Sequence, residues 1–422
     1  MRRSLRALAA ATAVGATIVG MAACGGDGTR LLSQAREGGP DPCPPTPGVT
    51  RNAINLGMVY SGSPYPGDSS MQFRAGVDAR LGEANAAGGI NGRALTYRVE
   101  DDEGTPTRGA VAGRHLAQDD HALGVLRYSS ATAGSTELLA AAGVPVVDGQ
   151  VSDPAALART GSTVFSYARP MLAQPASSGW GEFFRDRGAR HVAIVAVQLS
   201  SGTQAMARAA DQSVRAARLG VAGDIEIPPG PLDAHAFVGQ LLDTGADSLI
   251  AFVPARTFYE IAAATRDAGL GLTAVVGNPS TYERSELARA GDDARGIYTF
   301  VDYTPFEINP AAHRRFLTAM AAFAPQASAL PDGTALIGWI SADLLLRGIT
   351  AAGACPTRAG VLYGLRHQTR YDAGGLLPAP IDLSKGLAAL PPCYTYLRVS
   401  SDGAAFAPVD PTPRCGHVLP AA

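Results

Sequence analysis

From Asn55 to Leu272 the chain alternates between short apolar runs and longer amphipathic ones. The runs "INLGMV", "ALTYRVE", "ALGVL", "VPVV", "HVAIVAV" and "SLIAFV" are rich in β-branched residues and read as strands, and Ala-rich segments of roughly 12 to 20 residues between them read as helices. In the first such segment Phe73, Val77 and Leu81 fall four apart; Asp68 stands where a cap belongs, and "AAGGING" (86–92) supplies the stop. Strand, helix, strand in this order predicts parallel sheets covered on both faces, an α/β fold. After Tyr167 the pattern restarts, a second series runs from Trp180 to Gly277, and long helical segments follow "GIYTFVDYTPFEINP". Two lobes are therefore expected, with the chain returning to the first.

In open parallel sheets ligands sit beyond the carboxyl ends of the strands. After "LGVL" come Ser129, Ser130, Thr132, Ser135 and Thr136, more hydroxyls than one helix start needs. The next strand, "VPVV", runs into Asp148, Gly149, Gln150, Val151, Ser152 and Asp153. Free N–H groups at helix starts attract anions, and a Ser hydroxyl beside them adds a donor, so Ser129 and Ser152 are expected to cradle a carboxylate. The acidic run 100–103 before Thr105 and Pro106 reads as a solvated loop and helix cap.

The chain opens with Arg2, Arg3 and Arg6 ahead of an uncharged stretch from Ala7 to Gly20, which reads as a secretory signal over residues 1–23. "MAAC" at its end resembles a bacterial lipobox, which makes Cys24 the expected lipidation site and places the protein outside the cell membrane on a lipid anchor. Residues 24–50, rich in Gly, Pro, Asp and Arg, read as a flexible linker. Four further cysteines favour disulfides in an exported chain, with three connectivities open. The pairing expected is Cys355 with Cys393 and Cys43 with Cys415. No CxxC pair or HxxxH spacing points to a metal, and no cofactor is expected. A formal charge of -2 argues against nucleic acid.

The run from "GVDARLGEANAAGGINGRAL" through "EDDEGTP", "YSSATAG" and "AAAGVPVV" resembles the first lobe of the branched-chain amino-acid binding proteins, the leucine-binding type of periplasmic binding protein. Weaker similarity continues through "HVAIVAV", "ADSLIAFV", "AAATRDAGL" and "ARGIYTFVDY". The resemblance implies two hinged lobes, residues 51–167 with 302–371 and residues 168–301 with 372–415. They are joined by crossovers near Tyr167 to Arg169, Phe300 to Asp302 and Tyr371 to Gly374. It also implies a small-molecule ligand between them, an ABC permease and ATPase as partners, and a monomeric, non-catalytic chain. The family's carboxylate-binding hydroxyls fall on Ser129 and Ser152, and the carbonyl that meets an ammonium falls on Gln150. Tyr60 and Tyr65 follow the first strand, and Ser130, Ser201, Asn278 and Tyr303 complete the expected pocket. The family's acidic partner for the ammonium falls near Pro279 or Ser280, and its pocket tyrosines fall on Ser201 and Pro254, so an α-amino acid would lack its partner. Two readings stay open: capture for import, and a sensing flytrap not coupled to transport. No GxSxG, HExxH or Walker A motif supports an enzyme.

Overall fold

A computed structural model describes residues 43–62, 68–151, 162–198, 201–308, 310–327 and 332–420. The expected signal, Cys24, Tyr65 and Ser152 lie outside the described residues.

The first lobe is built on five parallel strands: β1 (Ala53–Tyr60), β2 (Ala94–Asp101), β3 (Val125–Tyr128), β4 (Val146–Asp148) and β5 (Val164–Phe165), in the order β2-β1-β3-β4-β5. Helices α1 (Asp68–Ala86), α2 (Pro106–Arg114) and α3 (Thr132–Ala141) follow β1, β2 and β3. The stripe on α1 behaves as its spacing predicts, with Phe73, Val77 and Leu81 all buried. Beyond Ala86 the chain turns through Gly88 and Gly89 at φ of 97° and 71°, left-handed conformations that stop a helix at no steric cost to glycine. Thr105 caps α2 by accepting from the Arg108 N–H.

The second lobe repeats the plan. Its helices are α4 (Gly179–Arg187), α5 (Ser201–Ala216), α6 (Ala234–Thr244), α7 (Ala255–Asp267) and α8 (Arg284–Ala290). Parallel strands β6 (His191–Val197), β7 (Gly220–Ile227), β8 (Ser248–Phe252), β9 (Ala274–Gly277) and β10 (Tyr298–Val301) lie in the order β10-β9-β8-β6-β7. Antiparallel β11 (Cys393–Val399) and β12 (Phe406–Pro408) extend the sheet beyond β10, and β13 (Arg414–Cys415) pairs with β11. Between β10 and β11 the chain returns to lobe one as α9 (Pro310–Phe323), α10 (Gly333–Ala351) and α11 (Arg358–Arg366). Among the described residues α10 alone is long and apolar enough to cross a membrane, but Leu336, Ile340, Leu344 and Ile349 on it are fully buried in lobe one. It is a core helix.

The first two crossings pass Tyr167 and Asp302, whose side chains meet: the Tyr167 hydroxyl donates to Asp302 Oδ1 at 3.1 Å. The third differs from its expected place at Tyr371 to Gly374. Tyr371 bonds the Ile340 carbonyl and the Asp343 carboxylate of α10, and Leu383 N–H donates to the Gln368 carbonyl, so this segment is tied to lobe one. The chain crosses later, past Pro391 and Pro392 into β11.

The disulfides also differ from expectation: Cys43 pairs with Cys355, and Cys393 with Cys415. The tail folds back as β13 so that Cys415 stands in register opposite Cys393. Cys43 is held at the far edge of lobe one, where the Arg93 guanidinium donates both to its sulfur and to the Ala354 carbonyl beside Cys355. Each cysteine thus meets the partner its own lobe supplies.

Candidate functional site

Both sheets run in the order second, first, third, fourth, fifth strand, which reverses direction between the first and third. A ligand crevice opens at such a switch point, outside the carboxyl ends of those two strands. In lobe one the point lies between β1 and β3, and it brings Ser61 beside Ser129 and Ser130. In lobe two it lies between β6 and β8, at the start of α5, where Ser201 stands, and at the exposed Pro254.

The lobe-one wall is a hydroxyl cluster closed around a carboxylate. Asp102, in the loop after β2, is fully buried, as is Ser129 with 1 % exposure. Ser129 Oγ donates to Asp102 Oδ2 in a short hydrogen bond. Ser61 Oγ donates to Asp102 Oδ1 at 2.6 Å and lies 3.3 Å from Ser129 Oγ and 3.4 Å from Ser130 Oγ. In return the serine oxygens accept backbone protons, Ser130 N–H on Ser61 at 3.2 Å and Ala131 N–H on Ser129 at 2.9 Å. Helix α3 starts without a side-chain cap, so these two bonds occupy the donors just ahead of it.

The other hydroxyls of the run face inward. Arg127 on β3 is fully buried and binds Asp148 Oδ2 on β4 through Nε at 2.8 Å and Nη2 at 2.6 Å. Its Nη1 donates to Ser135 at 3.1 Å and Thr136 at 2.8 Å. The surplus of hydroxyls therefore divides into a pair at the crevice and a set that satisfies a buried guanidinium, as a desolvated charge requires. Asp148 also accepts from the Gln150 N–H at 3.1 Å, and Gln150 is exposed.

Around these, Tyr60 is half-buried at the end of β1, and Tyr128 stacks on Phe73 with ring centroids 4.9 Å apart. Burial pushes the Tyr128 hydroxyl up to about 12. On lobe two, Asn278 after β9 donates to the Val253 carbonyl at 3.0 Å and accepts from the Ser280 hydroxyl at 2.6 Å, tying two strand ends into one wall. Ser280, where the family's acid would stand, is exposed. Tyr303 does not face the crevice: it is 2 % exposed, and its hydroxyl packs against Gly333 at the start of α10. Tyr282 is likewise interior, donating to Glu307 at 2.7 Å.

Where the crossings converge, Tyr167, Arg169, Asp302, Leu377, Pro391 and Tyr394 line a narrow crevice. Desolvation pushes the Asp302 carboxyl up to about 6, opposed by the bond from Tyr167.

Sequence reasoning missed Asp102 and Ser61. The acidic run reads as solvated in the sequence, yet its third member, Asp102, is the most buried polar group of the wall. The signal that finds both is strand order, because placing β1 between β2 and β3 brings the three loop starts together.

Among the described residues no group of three or more His, Cys, Asp or Glu side chains could hold a metal. The arrangement can receive a small molecule between two polar walls. Among the described residues the Ser129 hydroxyl donates to the Asp102 carboxylate.

Several solved structures share this architecture. A solute binding protein of an ABC transporter from R. palustris in complex with benzoate is 19% identical, with a TM-score of 0.70 over 86% of this chain and 97% of that one. The branched-chain amino acid transporter substrate binding protein of Streptococcus pneumoniae, in complex with isoleucine, is 15% identical, with a TM-score of 0.68 over 86% and 99%. A fatty acid ABC transporter substrate-binding protein from Thermomonospora curvata is 15% identical, with a TM-score of 0.70 over 89% and 95%. At these identities the likeness establishes the fold. No curated protein matches the sequence. The sequence model of the family described as periplasmic binding protein matches residues 53–404, from the first residue of β1 to the turn before β12, and the chain belongs to the periplasmic binding protein family.

Proposed function

We propose that this protein captures a small solute between its two lobes outside the cell membrane and presents the closed form to an ABC permease and ATPase. The observation that carries the reading is the pair of switch points, one per sheet, with small polar residues gathered at strand ends in each lobe. Lobe one offers Ser61, Ser129 and Ser130, with Gln150 and Tyr60 at the edge; lobe two offers Asn278, Ser280 and the start of α5. A ligand that touches both walls stabilises the closed arrangement in proportion to its differential contacts, and hinge bending at three crossings permits it. The lipobox-like "MAAC" supports attachment through Cys24, with the polypeptide itself outside the bilayer.

The test is a thermal-shift screen of the purified protein against amino acids, aromatic acids, fatty acids and their amides, followed by small-angle scattering. A ligand at about 100 times its dissociation constant adds about 2.7 kcal/mol of stability. The expected result is a compound that raises the unfolding midpoint by several degrees and shrinks the radius of gyration. Chemical turnover of the compound, or stabilisation without compaction, contradicts the reading.

A further inference from the structure

The three crossings converge on one crevice, and the end of the chain is tied across their entry into lobe two. The first arrives through residues 170–178 and the third through Pro391 and Pro392, and Pro170, Pro175, Pro391 and Pro392 carry no N–H with which to fix these segments. Residues 414–419 supply donors and acceptors instead. Gly416 N–H donates to the Pro392 carbonyl at 3.0 Å, and Leu419 N–H donates to the Ala176 carbonyl at 2.8 Å. Ser178 N–H donates to the His417 carbonyl at 2.9 Å, and His417 N–H returns a bond to Ser178 Oγ at 2.9 Å. Cys415 is bonded to Cys393, next to Pro392, and Arg414, 9 % exposed, pairs with Asp186 of α4 at 2.7 Å.

The second crossing is reached through Tyr394. It lies opposite Arg414 where β13 pairs with β11, and its ring meets that of Phe300 edge-on with centroids 5.2 Å apart, two residues before Asp302. Val301 is paired with Thr395. Cys393 and Tyr394 also line the crevice at the crossings, with Tyr167, Arg169 and Asp302. The family match ends at residue 404, so residues 414–419 lie beyond it. We propose that these residues are a strap that holds the lobe-two ends of the three crossings as one unit and so limits how far the lobes swing. Bending is then left to the lobe-one side of that junction, at Tyr167 to Arg169, at Asp302 and ahead of Pro391. Fewer lobe arrangements mean a smaller ordering cost when the lobes close on a solute.

The test needs no solute, so its outcome does not depend on the capture reading. Hydrogen exchange and small-angle scattering are compared for the full chain, for Cys393→Ser combined with Cys415→Ser, and for Leu419→Pro, which removes one strap donor. Among the described residues 167–169 and 300–303 make no hydrogen bond to 414–419, so a merely local loosening of the tail leaves them unmoved. The expected result is exchange at 167–169 and 300–303 at least about fivefold faster in the cysteine double variant, with a larger maximum dimension and unchanged protection of β1 and β6. Leu419→Pro is expected to move both readouts in the same direction by less. If the double variant loses protection of β1 or β6, Leu419→Pro decides alone. Release of residues 414–419 in a folded variant, with exchange at the crossings and scattering unchanged, overturns the strap.

Discussion

At the scale of single residues, the buried pair Arg127 and Asp148 shows how much of the site's frame is electrostatic. Both side chains are fully buried, and the guanidinium is satisfied on one side by the carboxylate and on the other by Ser135, Thr136 and the Thr132 carbonyl. Removing one partner leaves a charge in a low-dielectric interior, which costs about 3 to 5 kcal/mol, whereas replacing both by apolar residues costs far less. Arg127→Met is accordingly expected to lower stability by about that amount in urea denaturation, and the double change Arg127→Met with Asp148→Leu to recover most of it. Equal losses for single and double variants would contradict the pairing. The crevice hydroxyls and these structural ones come from one continuous stretch of sequence, Ser129 to Thr136, and nothing in its composition separates them. Strand register separates them: Arg127 lies opposite Asp148 across the sheet, and the hydroxyls of Ser135 and Thr136, about one turn into α3, reach back to it.

At the scale of elements, the helices of lobe one cross at glycines. A Cβ on Gly338 of α10 would lie 2.0 Å from the Phe73 carbonyl oxygen of α1, and one on Gly76 of α1 would lie 1.8 Å from the Ala335 carbonyl oxygen. Backbone cannot yield as a side chain tip can, so Gly338→Ala is expected to cost about 1 to 3 kcal/mol through overpacking, despite alanine's better helix propensity. A thermal denaturation midpoint equal to or above that of the unmodified chain would contradict this contact. The strands and helices themselves were legible from periodicity: "INLGMV", "VPVV" and "HVAIVAV" are strands, and the 73, 77, 81 stripe is a buried helix face. The glycine crossings were not, because a close approach depends on which two helices meet. The same holds for the cysteines. Their number pointed to disulfides, but partner choice follows from β13 folding back on β11 and from Arg93 holding Cys43 beside the Ala354 carbonyl.

At the scale of the whole molecule, two copies of one strand order face each other across crossings at Tyr167, Asp302 and Pro391 to Pro392, and the candidate site is the meeting of their switch points. Ser129, Gln150 and Asn278 were placed near that meeting by resemblance and loop position, and the structure puts all three at carboxyl ends of strands. Tyr303 was misplaced because a residue just past a strand can turn either to the crevice or, as here, back under a returning helix. The account's central claim is that one ligand contacts both lobes at once. Hydrogen exchange read by mass spectrometry, with and without the tightest compound from the thermal-shift panel, tests it directly. The account predicts simultaneous protection of peptides covering residues 60–62, 101–104 and 128–131 in lobe one and residues 278–282 in lobe two. Protection confined to one lobe, or located away from both strand-end walls, would contradict it.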